Sequence, residues 1–295
     1  MFRIGFMKLV EEQLLEEIEK TTSLAKIVDA AKYLNENYSL FSTDSILWDH
    51  LKIAFNHKHE ALFNKYSNQI IANKLINLVL LKYYPSERVI KHALVDFLKS
   101  DQDTILFEMP ILSSRVDIGR INGKSYAYEI KTELDSLNRI EKQINDYSQV
   151  YEYVILVIAP VFLNEVLTLV PDYCGIWVYN HNKESKRITF TKKRSPRKSP
   201  LLNSNSQLNN LSQHSLNSIL KNKNIKNIPL RKEDKIELIE DLYKPRTINT
   251  KFKALTKQAY KNNWDFIVEN YSSILPIDVQ TFFNSPIEPN LVYFK

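Results

Sequence analysis

The sequence predicts an α/β fold, a mixed β-sheet flanked by helices, with helical extensions at both ends of the chain. Three observations lead to this prediction. Helical periodicity runs through residues 8–100, short β-type runs separated by turn signals follow, and the continuous apolar run YVILVIA at 153–159 is typical of a strand buried on both faces. The resulting order of elements from residue 87, α-β-β-β-α-β-α-β, favours a mixed sheet with helices packed against it.

The composition indicates a folded protein, and its charge favours a polyanionic partner. Of 295 residues, 44% are hydrophobic and 25% are charged, so we expect a buried core rather than disorder. The lone Cys174 excludes an intramolecular disulfide framework and a Cys-rich zinc site, and it fits a reducing cytoplasm, where we expect the protein. No stretch approaches the roughly 20 apolar residues of a membrane span, so no membrane partner is expected. The first residues read as a helix rather than a signal peptide. The net charge of +6 favours a polyanionic partner.

The organisation along the chain predicts four segments. A helical region at 1–85 precedes an α/β core at 86–182. Residues 183–213 are basic, then polar and repetitive, which predicts a linker or an exposed arm. Helical patterns resume in the last segment, 214–295.

A helix at 87–99 is expected to lead into the first strand. Pro85 ends the preceding apolar stretch, and Ser86 is placed to cap this helix. Helical spacing predicts that its buried face consists of apolar residues, namely Val89, Ile90, Ala93, Leu94 and Phe97.

Two predicted strands bring acidic and basic side chains to one face of the sheet. In SYAYEIK at 125–131, alternation puts Glu129 and Lys131 opposite the aromatic and aliphatic residues. In RVDIGRI at 115–121, Asp117 lies between Val116 and Ile118, the apolar pair, and so faces the other way. Two carboxylates and a lysine are costly to cluster unless a further charge compensates them. A hard divalent cation with oxygen ligands, Mg²⁺ or Mn²⁺, would do so.

The turn between these strands tests the arrangement. A two-residue hairpin centred on Asn122 and Gly123 would pair Asp117 with Tyr128, and would place Asp117 and Glu129 on opposite faces. The hydrophobic pattern of the two strands instead requires Asp117 and Glu129 to lie on the same face. We therefore expect an odd-length loop or a bulge, with Gly123 in the left-handed conformation. A slip of one residue would destroy the cluster.

At this point the chain resembles a known superfamily. Asp117 followed by Glu129-Ile130-Lys131 on the next strand is similar to the signature of the PD-(D/E)XK nucleases, with Val116 in place of the usual proline. The following helix contains QINDY at 143–147, which matches the QxxxY pattern of the RecB-like branch. The chain also resembles an uncharacterised bacterial and prophage branch of restriction-endonuclease-like proteins. The resemblance covers residues 86–180.

The resemblance implies a restriction-endonuclease-like core and metal-dependent hydrolysis of phosphodiester bonds, with DNA as the expected substrate. Asp117 and Glu129 would hold Mg²⁺ or Mn²⁺ together with the carbonyl oxygen of Ile130. Glu87 lies on the helix before the first strand, where the superfamily often has an extra acidic residue, and it would add a ligand or an outer contact. Glu87 fits equally well as a solvated residue that favours the helix dipole.

The resemblance also implies roles for three further residues. Lys131 would orient the attacking water and stabilise charge on the phosphoryl oxygens. Gln143 and Tyr147, one helical turn apart, would position the backbone or Lys131. Tyr147 could equally be a core residue and Gln143 a surface amide.

Nucleic-acid contacts are expected from the run KESKRITFTKKRSPRKSP, which holds eight basic residues and one acid. The candidates in this run are Lys192, Lys193, Arg194, Arg197 and Lys198. The candidates in the core are Arg115 and Arg139, for which a structural ion pair is the alternative. The tract 215–243 loosely resembles the helix-extended-helix of SAP-like DNA-binding modules.

Other functions stay open at this level. A catalytically inactive nuclease-fold protein could bind nucleic acid or a protein partner, for example in phage–host conflict, without cleavage. The helical regions could bind such a protein partner. A homodimer is also open, because nucleases that cut both strands often pair symmetrically.

Overall fold

The computed structural model describes residues 9–100 and 102–294, which divide into two compact units. Described residues up to 94, together with 181–188 and 267–294, form the first unit, and the rest form the second. These boundaries differ from the four predicted segments. A helix is expected from the start of the chain, and the part of it up to residue 8 lies outside the described residues. No helix in the described part has both the length and the apolar composition that a membrane crossing requires.

The first unit is helical. Its α-helices are α1 (Val10–Thr21), α2 (Leu24–Asn37), α3 (Asp44–Ala54), α4 (Glu60–Tyr66), α5 (Ala72–Tyr83), the first part of α6 (Glu87–Leu98), α13 (Val279–Asn284) and α14 (Pro289–Val292). Helix α5 is the centre of its core, because nine of its twelve residues are buried. The predicted helical N-terminal region is thus confirmed for the described residues, with α4 as an additional short helix.

The second unit contains a six-stranded mixed sheet. The strands follow one another in space as in sequence: β1 (Thr104–Ile111), β2 (Ser114–Asn122), β3 (Lys124–Lys131), β4 (Tyr153–Ile158), β5 (Gly175–Asn182) and β6 (Arg187–Arg194). The first three strands are antiparallel, and β3, β4 and β5 are parallel. The expectation of a mixed sheet flanked by helices is confirmed.

Helices connect the parallel strands and complete the second unit. They are α7 (Ile140–Val150), α8 (Leu163–Leu169), α9 (Ser204–Asn209), α10 (Gln213–Lys221), α11 (Lys232–Leu242) and α12 (Pro245–Asn270). Helix α12 belongs to this unit as far as Phe266. Strand β4 is buried from Val154 onward, as its unbroken apolar sequence predicts. A close contact holds the end of α7 over β2: a Cβ at Gly119 would lie 2.6 Å from the Tyr151 hydroxyl oxygen, so only glycine fits there.

The prediction of a linker at 183–213 is wrong. Residues Arg187–Arg194 form β6 and Ser204–Asn209 form α9. The many basic side chains made this segment look like a linker. In the structure Ile188 and Phe190 are partly buried and alternate with exposed residues, as in a strand at the edge of a sheet.

Two expectations about α6 are also wrong. Phe97 is 51% exposed rather than buried, and Val95 and Leu98 are buried in its place. The helix therefore presents a face rotated from the one that spacing predicted. The Ser86 hydroxyl has no hydrogen-bond partner among the described residues, so the expected side-chain cap is not made, and the Ser86 carbonyl accepts the first bond of the helix from Ile90 N–H at 3.0 Å.

Candidate active site

The turn between β2 and β3 has the odd register that the hydrophobic pattern required. Asn122 pairs with Lys124, and Ile118 pairs with Tyr128. Gly123 alone connects the strands, with a φ of 65°, a conformation that glycine adopts without strain. The predicted odd loop with a left-handed Gly123 is confirmed.

Asp117 is fixed by the backbone of the neighbouring strand. The Ile130 amide donates to Asp117 Oδ2 at 2.6 Å, so the carboxylate replaces a ladder partner at this point. Because the N–H and C=O of one residue lie on the same edge of a strand, the Ile130 carbonyl also faces β2. The expected role of the Ile130 carbonyl as a metal ligand beside Asp117 stays a prediction.

Glu108 is a third acidic residue of this face. Phe107 pairs with Ile118 and Met109 with Val116, which puts Glu108 directly across from Asp117. One carboxylate oxygen of each residue lies within 4.8 Å of the other. Glu108 has a φ of 54°, which is unfavourable for a non-glycine residue inside a strand.

The sequence predicted that Glu108 ends the first strand and lies close to the expected cleft, but it indicated no definite role. The signal that could have found it is an acidic residue inside the otherwise apolar run TILFEMPI. Glu108 also accepts from Arg115 Nε at 2.6 Å, although the Arg115 side chain is largely exposed.

Glu129 is the most enclosed acidic group of the site, with 2% exposure. Its Oε1 accepts from Lys131 Nζ at 2.6 Å and from Gln143 Nε2 at 2.6 Å. Its Oε2 accepts from the Tyr147 hydroxyl at 2.7 Å. Burial raises the pKa of Glu129, while the charge and hydrogen bond of Lys131 and the bonds from Tyr147 and Gln143 lower it. These donors compensate a carboxylate that would otherwise be costly to bury.

The two helical residues contact Glu129 rather than Lys131. Tyr147 is fully buried, and its hydroxyl lies 2.6 Å from the Arg115 carbonyl oxygen as well as near Glu129. Burial and the Glu129 charge raise the pKa of Tyr147, so it stays a protonated donor. Gln143 and Tyr147 therefore connect α7 to β2 and β3 through one carboxylate.

The donor set fits a hard divalent cation. Glu108 and Asp117 each have a carboxylate oxygen within 4.8 Å of the other, and Glu129 is paired with Lys131 on the neighbouring strand. The buried Oε1 of Gln143 has no hydrogen-bond partner within the described residues, so an acceptor oxygen is also available beside the cluster. Oxygen ligands of these kinds suit Mg²⁺ or Mn²⁺.

Glu87 lies in the first unit, in the first turn of α6, where it forms a 2.5 Å ion pair with Lys91. This position agrees with a residue that stabilises the helix terminus. Its role as a metal ligand stays a prediction.

Two of the basic residues predicted to contact nucleic acid make contacts within the protein. Arg194 donates to the carbonyl oxygens of Cys174 and Pro171, and Arg197 pairs with Asp172. These contacts connect the end of β6 and the residues after it to the loop before β5, and a role of Arg194 and Arg197 in nucleic-acid binding stays a prediction.

The other predicted basic residues differ in their surroundings. Lys198 approaches Glu152 at 3.9 Å, Lys192 lies over aromatic rings, and Lys193 and Arg139 are exposed. The predicted helices of the 215–243 tract are confirmed as α10 and α11, and its SAP-like role stays a prediction.

Fold and site together define a mixed α/β protein with a carboxylate–lysine cluster on one face of its sheet. The chain belongs to the bacteriophage P4 protein cII family, whose model matches residues 82–282. This range includes β1 to β6 and α7.

Two individual proteins are similar to parts of this chain, one in sequence and one in structure. Protein cII of Enterobacteria phage P4 is 33% identical over 113 residues, which are 36% of this chain and 43% of that protein, so the match spans less than half of its length. A protein of unknown function from Silicibacter pomeroyi aligns with 45% of this chain and 88% of its own, at 12% identity and a TM-score of 0.31. A likeness at that level supports no argument about function.

Proposed function

We propose that the protein is a metal-dependent nuclease that hydrolyses phosphodiester bonds, with DNA as its substrate. The observation that carries the proposal is the contact of Lys131 Nζ with Glu129 Oε1, 2.6 Å apart, on the sheet face that also holds Asp117. In this arrangement the two carboxylates would bind the metal ion, and the lysine ammonium group would contact the phosphate.

The order of elements supports a restriction-endonuclease-like core as part of this proposal. Helix α6, the antiparallel strands β1 to β3, helix α7 and the parallel strand β4 follow in the order that the resemblance implies. The helix that carries Gln143 and Tyr147 packs against β2 and β4, which brings both residues to Glu129.

Each residue of the site has a distinct task in this proposal. Asp117 and Glu129, with Glu108 beside Asp117, would hold the divalent cation, and the Ile130 carbonyl faces the same side. When bound, the cation polarises the scissile phosphate and lowers the pKa of a water molecule. Lys131 stabilises negative charge that develops on the phosphoryl oxygens.

The enclosed position of Glu129 favours preorganisation. Its carboxylate receives three hydrogen bonds from Lys131, Gln143 and Tyr147, so its orientation does not depend on the substrate. Outer contacts of this kind fix the ligands of a metal site and tune its affinity.

The test is cleavage by the purified protein. Plasmid DNA, single-stranded DNA and RNA are each incubated with Mg²⁺, with Mn²⁺ and with a chelator. We expect cleavage of DNA that requires the cation, and a loss of about 10²-fold or more in Asp117→Asn and Lys131→Met. Asparagine retains an oxygen acceptor for the Ile130 amide, so the fold is preserved.

Two matched controls remove exposed charges elsewhere. Glu165→Gln on α8 and Lys32→Ala on α2 are expected to cleave at the wild-type rate, since both side chains are exposed. Absence of cleavage of every substrate by folded wild-type protein would overturn the proposal. Binding of DNA in that case would favour the non-catalytic alternative.

A further inference from the structure

The opposite face of the sheet carries an open pocket of about 420 Å³ that the carboxylate–lysine site does not use. Its floor is aromatic and includes Tyr126, Tyr128 and Trp177, with Phe97 of α6 at one side. Strand alternation explains the placement, because Tyr128 points away from the face that holds Glu129. The volume lies in the range of about 300–1,000 Å³ that small organic groups occupy.

The rings of this pocket are oriented by one another. Phe97 meets Trp177 edge-on, with centroids 5.8 Å apart and planes at 84°. Trp177 meets Tyr128 at 5.7 Å and 63°. Phe97 is the exposed member, with half of its side chain in solvent. An exposed phenylalanine held by edge contacts leaves a ring surface available for another flat group.

Cations lie over this aromatic surface. Lys192 Nζ is 4.9 Å from the Trp177 ring centroid and 5.6 Å from that of Phe97. The Arg120 guanidinium is 5.7 Å from the centroid of Tyr126, and it also pairs with buried Asp103. Lys192 is exposed, so its charge is directed to solvent as well as to the rings.

One residue that lines the pocket carries an unused hydrogen-bond donor. The Trp177 indole N–H is buried and has no partner among the described residues. An unsatisfied buried donor is unfavourable, so a ligand that brought an acceptor to this N–H would gain affinity. Nucleobases carry such acceptors on their ring nitrogens and carbonyl oxygens.

We infer that this pocket binds an unpaired base of single-stranded nucleic acid, with the adjacent phosphate contacted by Lys192. Flat rings beside a cation are the combination that single-strand binding surfaces use. A free phosphate would gain nothing from the aromatic floor, and a paired base could not enter the pocket without unstacking. The inference rests on the proposed function for the substrate class, namely nucleic acid.

The position of the pocket separates this role from cleavage. Tyr128 and Glu129 are consecutive residues of β3 on opposite faces, so a base in the pocket cannot belong to the nucleotide at the carboxylate–lysine site. The pocket holds a neighbouring stretch of the strand or a displaced second strand.

Binding in the presence of a chelator tests the inference without cleavage. The probes are a labelled oligothymidylate, an abasic oligonucleotide of equal length and a duplex of equal length, measured by fluorescence anisotropy. We expect the oligothymidylate to bind most tightly, and Phe97→Ala to weaken it about tenfold, as removal of one stacking partner does. The abasic strand should bind wild type and Phe97→Ala equally.

Variants at the same position separate stacking from packing. Phe97→Tyr keeps a ring and should retain wild-type affinity, whereas Phe97→Leu keeps apolar volume without a ring and should resemble Phe97→Ala. Lys192→Ala should reduce the slope of log affinity against log salt by about 0.7, the contribution of one phosphate contact on a single strand. The controls Phe41→Ala and Lys32→Ala remove an exposed ring and an exposed charge from the first unit.

The outcomes distinguish this inference from the nuclease proposal. Equal binding of the abasic and base-containing strands, or wild-type affinity in Phe97→Ala, would overturn the pocket inference even if the protein cleaves DNA. Base-dependent binding that Phe97→Ala weakens would support it even if no cleavage is found.

Discussion

Asp117 Oδ2 accepts a hydrogen bond from the backbone amide of Ile130 at 2.6 Å, where β2 and β3 separate. The last ladder pair before this point is Ile118 with Tyr128. A side chain therefore takes over the position of a strand partner, and the site exists only while β2 and β3 keep their register.

A change of register should abolish activity. Insertion of one glycine between Asn122 and Gly123 would shift the pairing by one residue and move Asp117 to the face opposite Glu129. We expect a loss of metal-dependent cleavage, measured on plasmid DNA, in a protein that still shows mixed α/β circular dichroism.

The matched variant is Gly123→Ala. A Cβ at this position meets no atom within 4 Å, so only the positive φ opposes it, at about 1 kcal/mol. Cleavage should persist in this variant, and equal activity of the insertion variant would contradict the role of the register.

Tyr147→Phe should lower the affinity for Mg²⁺ more than it lowers the stability of the fold. The change removes the donor to Glu129 Oε2 and to the Arg115 carbonyl. Loss of an outer contact to a metal ligand reduces metal affinity by about 10- to 100-fold. Titration of activity with Mg²⁺ should therefore show a higher half-saturating concentration.

The control for this change is Tyr151→Phe. Its hydroxyl is also buried but contacts Met109 Sδ at 3.2 Å, away from Glu129. If both variants have the same dependence on Mg²⁺, Tyr147 has no specific effect on the metal site.

Glu108→Asn should separate stability from cation binding. Asparagine tolerates the left-handed backbone conformation better than glutamate does, so the unfolding free energy should not fall by more than about 0.5 kcal/mol. The shorter amide removes a charge within 4.8 Å of Asp117, and Mn²⁺ affinity measured by calorimetry should fall tenfold or more. Unchanged affinity would remove Glu108 from the site.

The first unit contains a buried carboxyl group that gives its stability a pH dependence. Asp278 is 1% exposed, and its Oδ2 accepts from Tyr38 at 2.9 Å and from Tyr293 at 2.6 Å. Burial raises the pKa of Asp278 to about 6, although both hydrogen bonds and Arg88 lower it. The folded state therefore holds a proton that the unfolded chain releases near pH 4.

The sign of the effect follows from proton linkage. The stabilising contribution of protonated Asp278 is fully present below about pH 4 and is lost as the pH rises through about 6. Relative to Asp278→Asn, the wild-type unfolding free energy should fall by on the order of 3 kcal/mol across this window. Urea denaturation at a series of pH values measures it.

Asp29→Asn is the control, because this carboxylate is exposed on α2. Parallel pH profiles of wild type and Asp278→Asn would show that Asp278 does not titrate in this window.

Much of the candidate site could be predicted from local sequence pattern. Strand alternation placed Glu129 and Lys131 on one face, and the conflict between Asn122-Gly123 and the apolar residues predicted the odd turn. These inferences concern neighbours along one or two strands, where spacing determines direction. The contact of Gln143 and Tyr147 with Glu129 needed the packing of α7, which spacing alone did not supply.

Elsewhere local pattern failed because distant partners decided the outcome. Phe97 has the spacing of a core residue but lies exposed beside Trp177. The residues of β6 read as a linker because the strand is at the sheet edge, where polar and basic side chains are tolerated. Glu108 was expected near the cleft without a definite role, because that role depends on its partner across the sheet, Asp117.

The sequence by itself determined the mixed sheet and the shared face of Asp117, Glu129 and Lys131, since alternation and turn chemistry are local. Tertiary structure decided which groups surround them. Only strand pairing sets Glu108 across from Asp117, and only helix packing brings Tyr147 to Glu129 Oε2. The physical reason is burial: a carboxylate removed from water requires specific donors, and those donors come from parts of the chain that no local pattern connects.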